Sequence, residues 1–194
     1  YVLSKRFFQC YNSSWMQQGE NVRYKKAERE DGTRAWYLTF DFTFLHDNDE
    51  VFFAACPPYS YSFLLKEVEG IVQGSRRKCR MDVDRTNKSI CGLFIPILTI
   101  THNNFHESQP CNYIVVIARS HPGESASSWV INGMLKHFAS ADPSLDDYPR
   151  NLVIKLVPMV NVDGVFLGNY RTGVMGKDFN RKFASARSNL FPEI

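Results

Sequence analysis

CNYIVVIARSHPGESASSWVINGMLKHF, residues 111–138, is the stretch that decides the fold class. Its first eight residues form a compact apolar run, as expected for a strand that is buried on both faces. Its last fourteen residues, 125–138, predict an amphipathic helix. The predicted apolar stripe of this helix comprises Ala126, Trp129, Val130, Gly133 and Met134, widened by Ile131, Leu135 and Phe138.

The segments around this stretch extend an α/β pattern. NLVIKLVPMV, residues 151–160, predicts a second buried strand, so that strand, helix and strand indicate a right-handed crossover and a parallel pair. NVDG, residues 161–164, predicts a turn in which Gly164 is free to take a positive φ. LFIPILTI, residues 93–100, predicts a strand in which Pro96 favours an edge or a bulge.

The chain before residue 93 changes from strands to a helix. WYLTFDFTF, residues 36–44, alternates apolar and polar side chains as a half-buried antiparallel strand does. HDNDE then predicts a turn and VFFAAC, residues 51–56, another strand; an earlier candidate strand lies near residues 21–25. After Pro57 and Pro58, apolar residues between 61 and 72 follow helical spacing.

We therefore predict an α/β protein with two domains. Residues 1–57 form a β-rich module, interpreted as a partial sandwich, and residues 58–194 form the first part of a mixed α/β domain. The chain begins with Tyr1 and closes soon after a motif-rich segment, so we expect it to be a piece of a longer protein.

Composition narrows the possible environments and partners. The net charge of +3 does not indicate a nucleic-acid partner, and no apolar run approaches the ~18 residues of a membrane span. Five cysteines without CxxC spacing favour reduced thiols in a cytoplasmic protein. GSRRKCR, residues 74–80, is either a solvated helix end or a surface for an acidic partner.

SHPGE, residues 120–124, and NVDG both follow strands, where ligands collect in parallel sheets. Two chemistries compete for the first of them. GESAS resembles the nucleophile turn of the type-B carboxylesterases, with Ser125 as nucleophile, although Ser127 replaces the last glycine and no HGGG-like segment precedes it. Alternatively, His121 and Glu124 form two ligands of a zinc site.

Later motifs favour zinc. ARSHPGESASSW, followed by PMVNVDGV, GNYR and GKDFNR, resembles the zinc metallocarboxypeptidases, and most closely their cytosolic carboxypeptidase branch. Residues 9–26 and 46–63 are also similar to that branch, so the resemblance covers nearly the whole chain. It implies a small β-sandwich before a catalytic domain, and an enzyme that removes C-terminal residues, chiefly glutamates, from tubulin and other acidic protein tails.

The resemblance also implies roles for individual residues. His121 and Glu124 correspond to two ligands of one zinc ion, and Asp178 to the acid that hydrogen-bonds the zinc histidine. The remaining three residues act on the substrate. Arg171 corresponds to the residue that stabilises the oxyanion, while Asn180 and Arg181 correspond to those that hold the terminal carboxylate.

The family's third zinc ligand, its general base and its substrate-covering tyrosine are expected downstream of Arg181, where thirteen residues contain no histidine. We therefore expect the isolated chain to be poorly active, as zinc content and glutamate release measure; robust turnover contradicts this. Two alternatives remain open: a non-catalytic or truncated member that binds acidic tails, and a serine esterase, which a metal chelator leaves active.

Overall fold

The computed structural model describes residues 1–6, 15–74, 79–108 and 110–184. The chain divides into two compact units, Tyr1–Pro57 and Pro58–Ile194. The mixed α/β architecture predicted from the sequence is confirmed.

The first unit contains two pairs of antiparallel strands. β1 (Val2–Ser4) pairs with β4 (Val51–Phe53), and β2 (Glu20–Glu28) pairs with β3 (Arg34–Asp41) in a hairpin. The strands predicted near residues 21–25, 36–44 and 51–56 are thus present, although β3 ends at Asp41. That these strands belong to a sandwich stays a prediction.

The prediction that β3 is half-buried is wrong for the described residues. Trp36 and Leu38, which were expected on the buried side, are 58% and 62% exposed. The hairpin is instead stabilised across its two strands, where Tyr24 stacks on Trp36 with 5.0 Å between ring centroids. Alternation therefore identified a strand, but burial of one face needs a second layer.

The second unit is built on a four-stranded sheet in the order β5-β6-β8-β7. Its strands are β5 (Cys79–Asp84), β6 (Ile97–His102), β7 (Asn112–Ile117) and β8 (Leu152–Val157). β7 and β8 are parallel, as predicted, whereas β6 is antiparallel to both β5 and β8. The strand β5 lies partly inside the basic cluster of residues 74–80 and was not predicted; residues 75–78 of that cluster lie outside the described part.

Two predicted strand positions are wrong. β6 is not an edge strand: it begins directly after Pro96, so the missing proline N–H lies outside the ladder and both sides of the strand are paired. β7 is not buried on both faces. Among the described strands it has β8 as its one neighbour, and Tyr113 and Val115 are 63% and 60% exposed.

Two main helices cover one face of this sheet. α1 spans Tyr61–Gln73 and is capped by Ser60, whose hydroxyl accepts the backbone N–H of Phe63. α2 spans Ser125–Phe138, the predicted range. The core between helices and sheet contains Leu64, Val68, Leu98, Ile100, Ile131, Leu135, Ile154 and Leu156. Deep burial of these side chains is the main source of stability of the second unit.

The buried face of α2 differs from the predicted stripe. Ala126, Val130 and Gly133 are exposed, and the buried residues are Ser125, Ser128, Ile131, Asn132 and Leu135. Three of these are polar and are buried with hydrogen-bonding partners. The Asn132 amide, for example, donates to the Tyr59 hydroxyl at 2.9 Å. A stripe chosen by hydrophobicity cannot include such positions.

The NVDG segment forms the start of a short helix, α3 (Val162–Phe166). Gly164 lies inside this helix and is not among the residues with positive φ, so the predicted turn is the first part of a helix and the glycine does not use that freedom. Two 3₁₀ turns are also present: Pro143–Asp147 lies between α2 and β8, and Phe179–Arg181 comes after α3. In the parts of the chain that the structure describes, no helix has both the length and the apolar character that crossing a membrane requires.

Candidate metal and carboxylate site

The loop between β7 and α2, residues 118–124, leaves the sheet where two parallel strands end. Asn161 fixes the path of this loop. Its side chain donates to the Ser120 carbonyl at 3.0 Å and accepts the backbone N–H of Gly164 at 3.1 Å. The Gly123 N–H donates to the Tyr170 carbonyl at 2.6 Å. The structure thus brings SHPGE against NVDG and the segment that follows it.

His121 is held between two carboxylates in this loop. Its Nε2 lies 3.0 Å from Asp178 Oδ1, and its Nδ1 lies 3.1 Å from Glu124 Oε1. The imidazole is 11% exposed, whereas the Glu124 side chain is 53% exposed. Because an ionised carboxylate can only accept, the Nε2–H tautomer of His121 is the one that donates to Asp178 and turns its Nδ1 lone pair towards Glu124.

This geometry fits a shared cation. Two lone-pair donors 3.1 Å apart repel each other unless a proton or a metal ion lies between them. Two ligands of one tetrahedral zinc lie about 3.4 Å apart, given zinc–ligand distances of about 2.0–2.1 Å. His121 and Glu124 therefore satisfy the spacing of two zinc ligands. In the described residues, no group of three or more His, Cys, Asp or Glu side chains is placed to hold a metal.

Asp178 connects the histidine to Arg171. While Oδ1 faces His121, Oδ2 lies 2.8 Å from Arg171 Nη2. Burial raises the pKa of the Asp178 carboxyl, whereas the hydrogen bond from His121 and the charge of Arg171 lower it. The lowering contributions together are larger, so the pKa lies below the ordinary value and the group is an anion at neutral pH.

The turn that carries Asp178 is anchored by an aromatic side chain. Asp178 caps the 3₁₀ turn Phe179–Arg181 and accepts the Asn180 N–H at 2.9 Å. Phe179 is buried against Val160, and its ring occupies the space next to Gly173 that a Cβ atom there would need. Packing of Phe179 therefore determines where the carboxylate of Asp178 points.

The predicted carboxylate-binding residues are part of this turn and are exposed to solvent. Asn180 and Arg181 are both exposed, and Arg181 Nη1 donates to the Asn180 carbonyl at 3.2 Å. Arg171, on the other side of Asp178, has a side chain that is 49% exposed. The structure thus gathers His121, Glu124, Asp178 and Arg171 by direct contacts, and places Asn180 and Arg181 next to Asp178 along the chain.

Ser125 does not have the environment of a nucleophile. It is the first residue of α2 and is 4% exposed, whereas an elbow serine has to reach the substrate. Ser127, the next serine, accepts the backbone N–H of Arg119 and donates to the Glu124 carbonyl. Both serines therefore belong to the start of the helix rather than to an esterase site.

Asn161 and Asp163 are buried polar residues that support this loop and its surroundings, and neither was predicted from the sequence. Asn161 is fully buried and carries the loop, as described above. The buried carboxylate of Asp163 accepts the Ser89 hydroxyl and the Cys91 N–H. An asparagine directly before a helix is an N-cap pattern, so the cap could have been predicted, but its bond to Ser120 could not.

Comparison with known proteins agrees with these observations. The zinc carboxypeptidase family pattern matches residues 75–191, more than half of the chain. Cytosolic carboxypeptidase 2 of Xenopus tropicalis is 36% identical over 183 residues, which are 93% of this chain and 19% of that protein. Cytosolic carboxypeptidase 3 of Mus musculus is 31% identical over 192 residues, 98% of this chain and 19% of that protein.

Solved structures show the same fold. A metallo-carboxypeptidase from Burkholderia cenocepacia superposes with a TM-score of 0.69 at 25% identity, covering 89% of this chain and 43% of that one. The chain therefore spans about a fifth of the length of the curated relatives and under half of the solved structure. The chain belongs to the zinc carboxypeptidase family, and its curated relatives are cytosolic carboxypeptidases.

Proposed function

We propose that this chain contributes zinc ligands and carboxylate-binding residues to a metallocarboxypeptidase that removes C-terminal residues from protein tails. The observation that carries the proposal is His121, whose Nε2 is held by Asp178 while its Nδ1 faces Glu124. A carboxylate behind a histidine is the usual support of a metal ligand, because it determines the tautomer and raises ligand basicity.

His121 and Glu124 would hold the zinc ion. When bound there, zinc supplies Lewis-acid chemistry to the scissile carbonyl and to a bound water. Asp178 keeps the Nε2 proton of His121 in place during this chemistry and holds the Arg171 guanidinium with its second oxygen. Arg171 contacts Asp178 through Nη2. A guanidinium has five N–H donors, so Arg171 can also stabilise negative charge on the reacting carbonyl oxygen.

Arg181 and Asn180 would bind the terminal carboxylate of the substrate. A guanidinium forks onto a carboxylate through two parallel N–H bonds, and the Asn180 amide supplies a further donor. Both side chains are exposed, so a chain end can reach them. Binding of the free carboxylate is what makes such an enzyme act at the chain end.

We infer an acidic substrate, with glutamate as the residue removed and tubulin as an example. Residues 171–182 contain the four cations Arg171, Lys177, Arg181 and Lys182 against one carboxylate, Asp178. A cationic site attracts acidic chain ends and raises their local concentration. The names of the curated relatives support a cytoplasmic location for the protein.

Replacing Asp178 with asparagine tests the support of the zinc ligand. We expect Asp178→Asn to lower zinc affinity about tenfold, because the amide no longer orients the imidazole as an anion does. Titration of the chain with zinc against a competing chelator measures this. Asp82→Asn is the control, since Asp82 is an exposed acid paired with Arg80 and the charge change is the same. Equal effects of both variants would contradict the proposal.

The terminal-carboxylate site can be tested with two versions of one peptide. We expect a glutamate-ended peptide with a free terminus to bind roughly tenfold more tightly than its C-terminal amide, since the amide cannot form the charge-assisted pair with Arg181. Fluorescence anisotropy measures both affinities. Arg181→Gln should remove the difference, whereas Arg80→Gln, at an exposed arginine outside the site, should preserve it. A preference that survives Arg181→Gln argues against this assignment.

A further inference from the structure

Arg119 is a buried cation next to the proposed zinc ligands. It is the second residue after the end of β7 and is 6% exposed, which is rare for an arginine. Its φ of +58° places the backbone in the left-handed region, where a residue other than glycine is uncommon. Both features indicate that the surrounding structure holds this residue in one conformation.

The guanidinium of Arg119 joins three segments of the second unit. Nε donates to the Pro122 carbonyl at 2.7 Å, within the loop that carries the zinc ligands. Nη1 donates to Ser128 Oγ on α2 at 3.0 Å and to the Tyr59 carbonyl before α1 at 3.1 Å. The planar guanidinium has donors in different directions, so it can bind these three acceptors at once.

The backbone of Arg119 is tied to the same frame. Its N–H donates to Ser127 Oγ at 3.1 Å, and its carbonyl accepts the Asn161 N–H at 3.3 Å. Residue 119 is thus joined to α2 and to the residue that caps α3, while its side chain reaches forward to Pro122. The start and the middle of the loop are held by one residue.

We propose that Arg119 is the positioning residue of the zinc site, and this inference rests on the function proposed above. Pro122 lies between His121 and Glu124 in the chain, so the direction of its carbonyl determines how the backbone turns from one ligand to the other. By holding that carbonyl from inside the protein, Arg119 keeps His121 Nδ1 and Glu124 Oε1 converged at 3.1 Å. Arg119 acts through the Pro122 carbonyl, which makes it a positioning residue.

Arginine is the residue that this position requires. A lysine ammonium on a flexible stem can satisfy the Pro122 carbonyl, but it has no planar fork that also meets Ser128 and Tyr59. Methionine has a similar length and no donor, so it leaves buried acceptors without partners. Methionine at position 119 should therefore disturb the loop more than lysine does.

The test measures zinc affinity and the tautomer of His121 in the variants Arg119→Met and Arg119→Lys. Zinc titration against a chelator gives the affinity, and ¹⁵N NMR of the metal-free chain, at a pH where the imidazole is neutral, gives the tautomer. We expect Arg119→Met to lower zinc affinity about tenfold and to weaken the preference for the Nε2–H tautomer. Arg119→Lys should recover part of both.

Asn132→Ala is the matched control. Asn132 is buried on α2 like Ser128, but its amide binds the Tyr59 hydroxyl and Glu67. Denaturant unfolding should show a similar loss of stability, with zinc affinity and tautomer unchanged. If Arg119→Met does not fold, Ser128→Ala removes one acceptor of the guanidinium and should give a smaller decrease in zinc affinity.

The outcomes separate this inference from the proposed function. If the wild-type chain binds no zinc, the proposed function fails, and the positioning role is then judged by the tautomer alone. If the wild-type chain binds zinc and Arg119→Met leaves both affinity and tautomer unchanged, the positioning role is overturned. The same conclusion follows if Asn132→Ala lowers zinc affinity as much as Arg119→Met does.

Discussion

His121→Ala is expected to lower the zinc affinity of the chain more than about 100-fold. Asp178 then loses the imidazole that it contacts, and Glu124 alone offers one exposed carboxylate to the metal. Removing a direct ligand costs more than removing its support, for which about 10–100-fold is usual. Competition with a chromophoric chelator measures the affinity, and metal analysis after dialysis measures the bound zinc.

His137→Ala is the control for this variant. His137 lies near the end of α2, its side chain is 47% exposed, and its Nδ1 is 4.0 Å from an Asp142 oxygen. It offers zinc an accessible imidazole without the support of a buried carboxylate. Zinc affinity should therefore stay at the wild-type value. An equal loss in both variants would show that zinc binds unspecifically to histidines, and would remove the main support for the proposed site.

Gly164→Ala is expected to destabilise the second unit by about 3 kcal/mol. An added Cβ atom would lie 2.4 Å from Pro122 Cγ, 2.6 Å from Asn161 Oδ1 and 2.9 Å from the Thr172 carbonyl oxygen. None of these neighbours can move aside freely, because Pro122 has a rigid ring and its carbonyl is bound by Arg119, and the Asn161 side chain is hydrogen-bonded on both sides. Urea unfolding measures the free-energy change.

A glycine-to-alanine substitution at position 133 of the same unit should instead raise its stability. Gly133 lies inside α2, and a Cβ atom there meets nothing within 4 Å. Gly133→Ala should therefore raise stability by roughly 0.5–1 kcal/mol through helix propensity. Gly164→Ala should also lower zinc affinity, since the displaced Pro122 lies between His121 and Glu124, the two proposed ligands. Wild-type stability in Gly164→Ala would show that the loop moves aside at little cost.

The secondary structure of the second unit was largely predictable because its strands and helices are locally marked. The helix Ser125–Phe138 follows from its period, and the parallel pairing of β7 with β8 follows from the strand–helix–strand order. The burial of these elements was predicted less well. β7 proved exposed and α2 buries polar residues, because burial depends on which other segments pack against an element.

The candidate site was predictable only as a set of residue types. The HPGE and GKDFNR motifs identify His121, Glu124 and Asp178, and the family comparison supports the kind of protein in which they occur. Their roles stay a proposal, and the contacts add physical support to it. No local pattern marks Arg119, because its partners lie 3, 9 and 60 residues away along the chain.

By itself the amino-acid sequence determined the α/β class, the helix that follows the loop and the chemical groups available to a metal. Each of these depends on periodicity or on the identity of a few neighbouring side chains. Only the tertiary structure decided which imidazole nitrogen faces Glu124, which oxygen of Asp178 meets Arg171, and that the buried Arg119 binds the Pro122 carbonyl. The physical reason is range: a hydrogen bond acts over about 3 Å in space. Folding brings residues 121 and 178 within that distance, although 57 positions separate them in the chain.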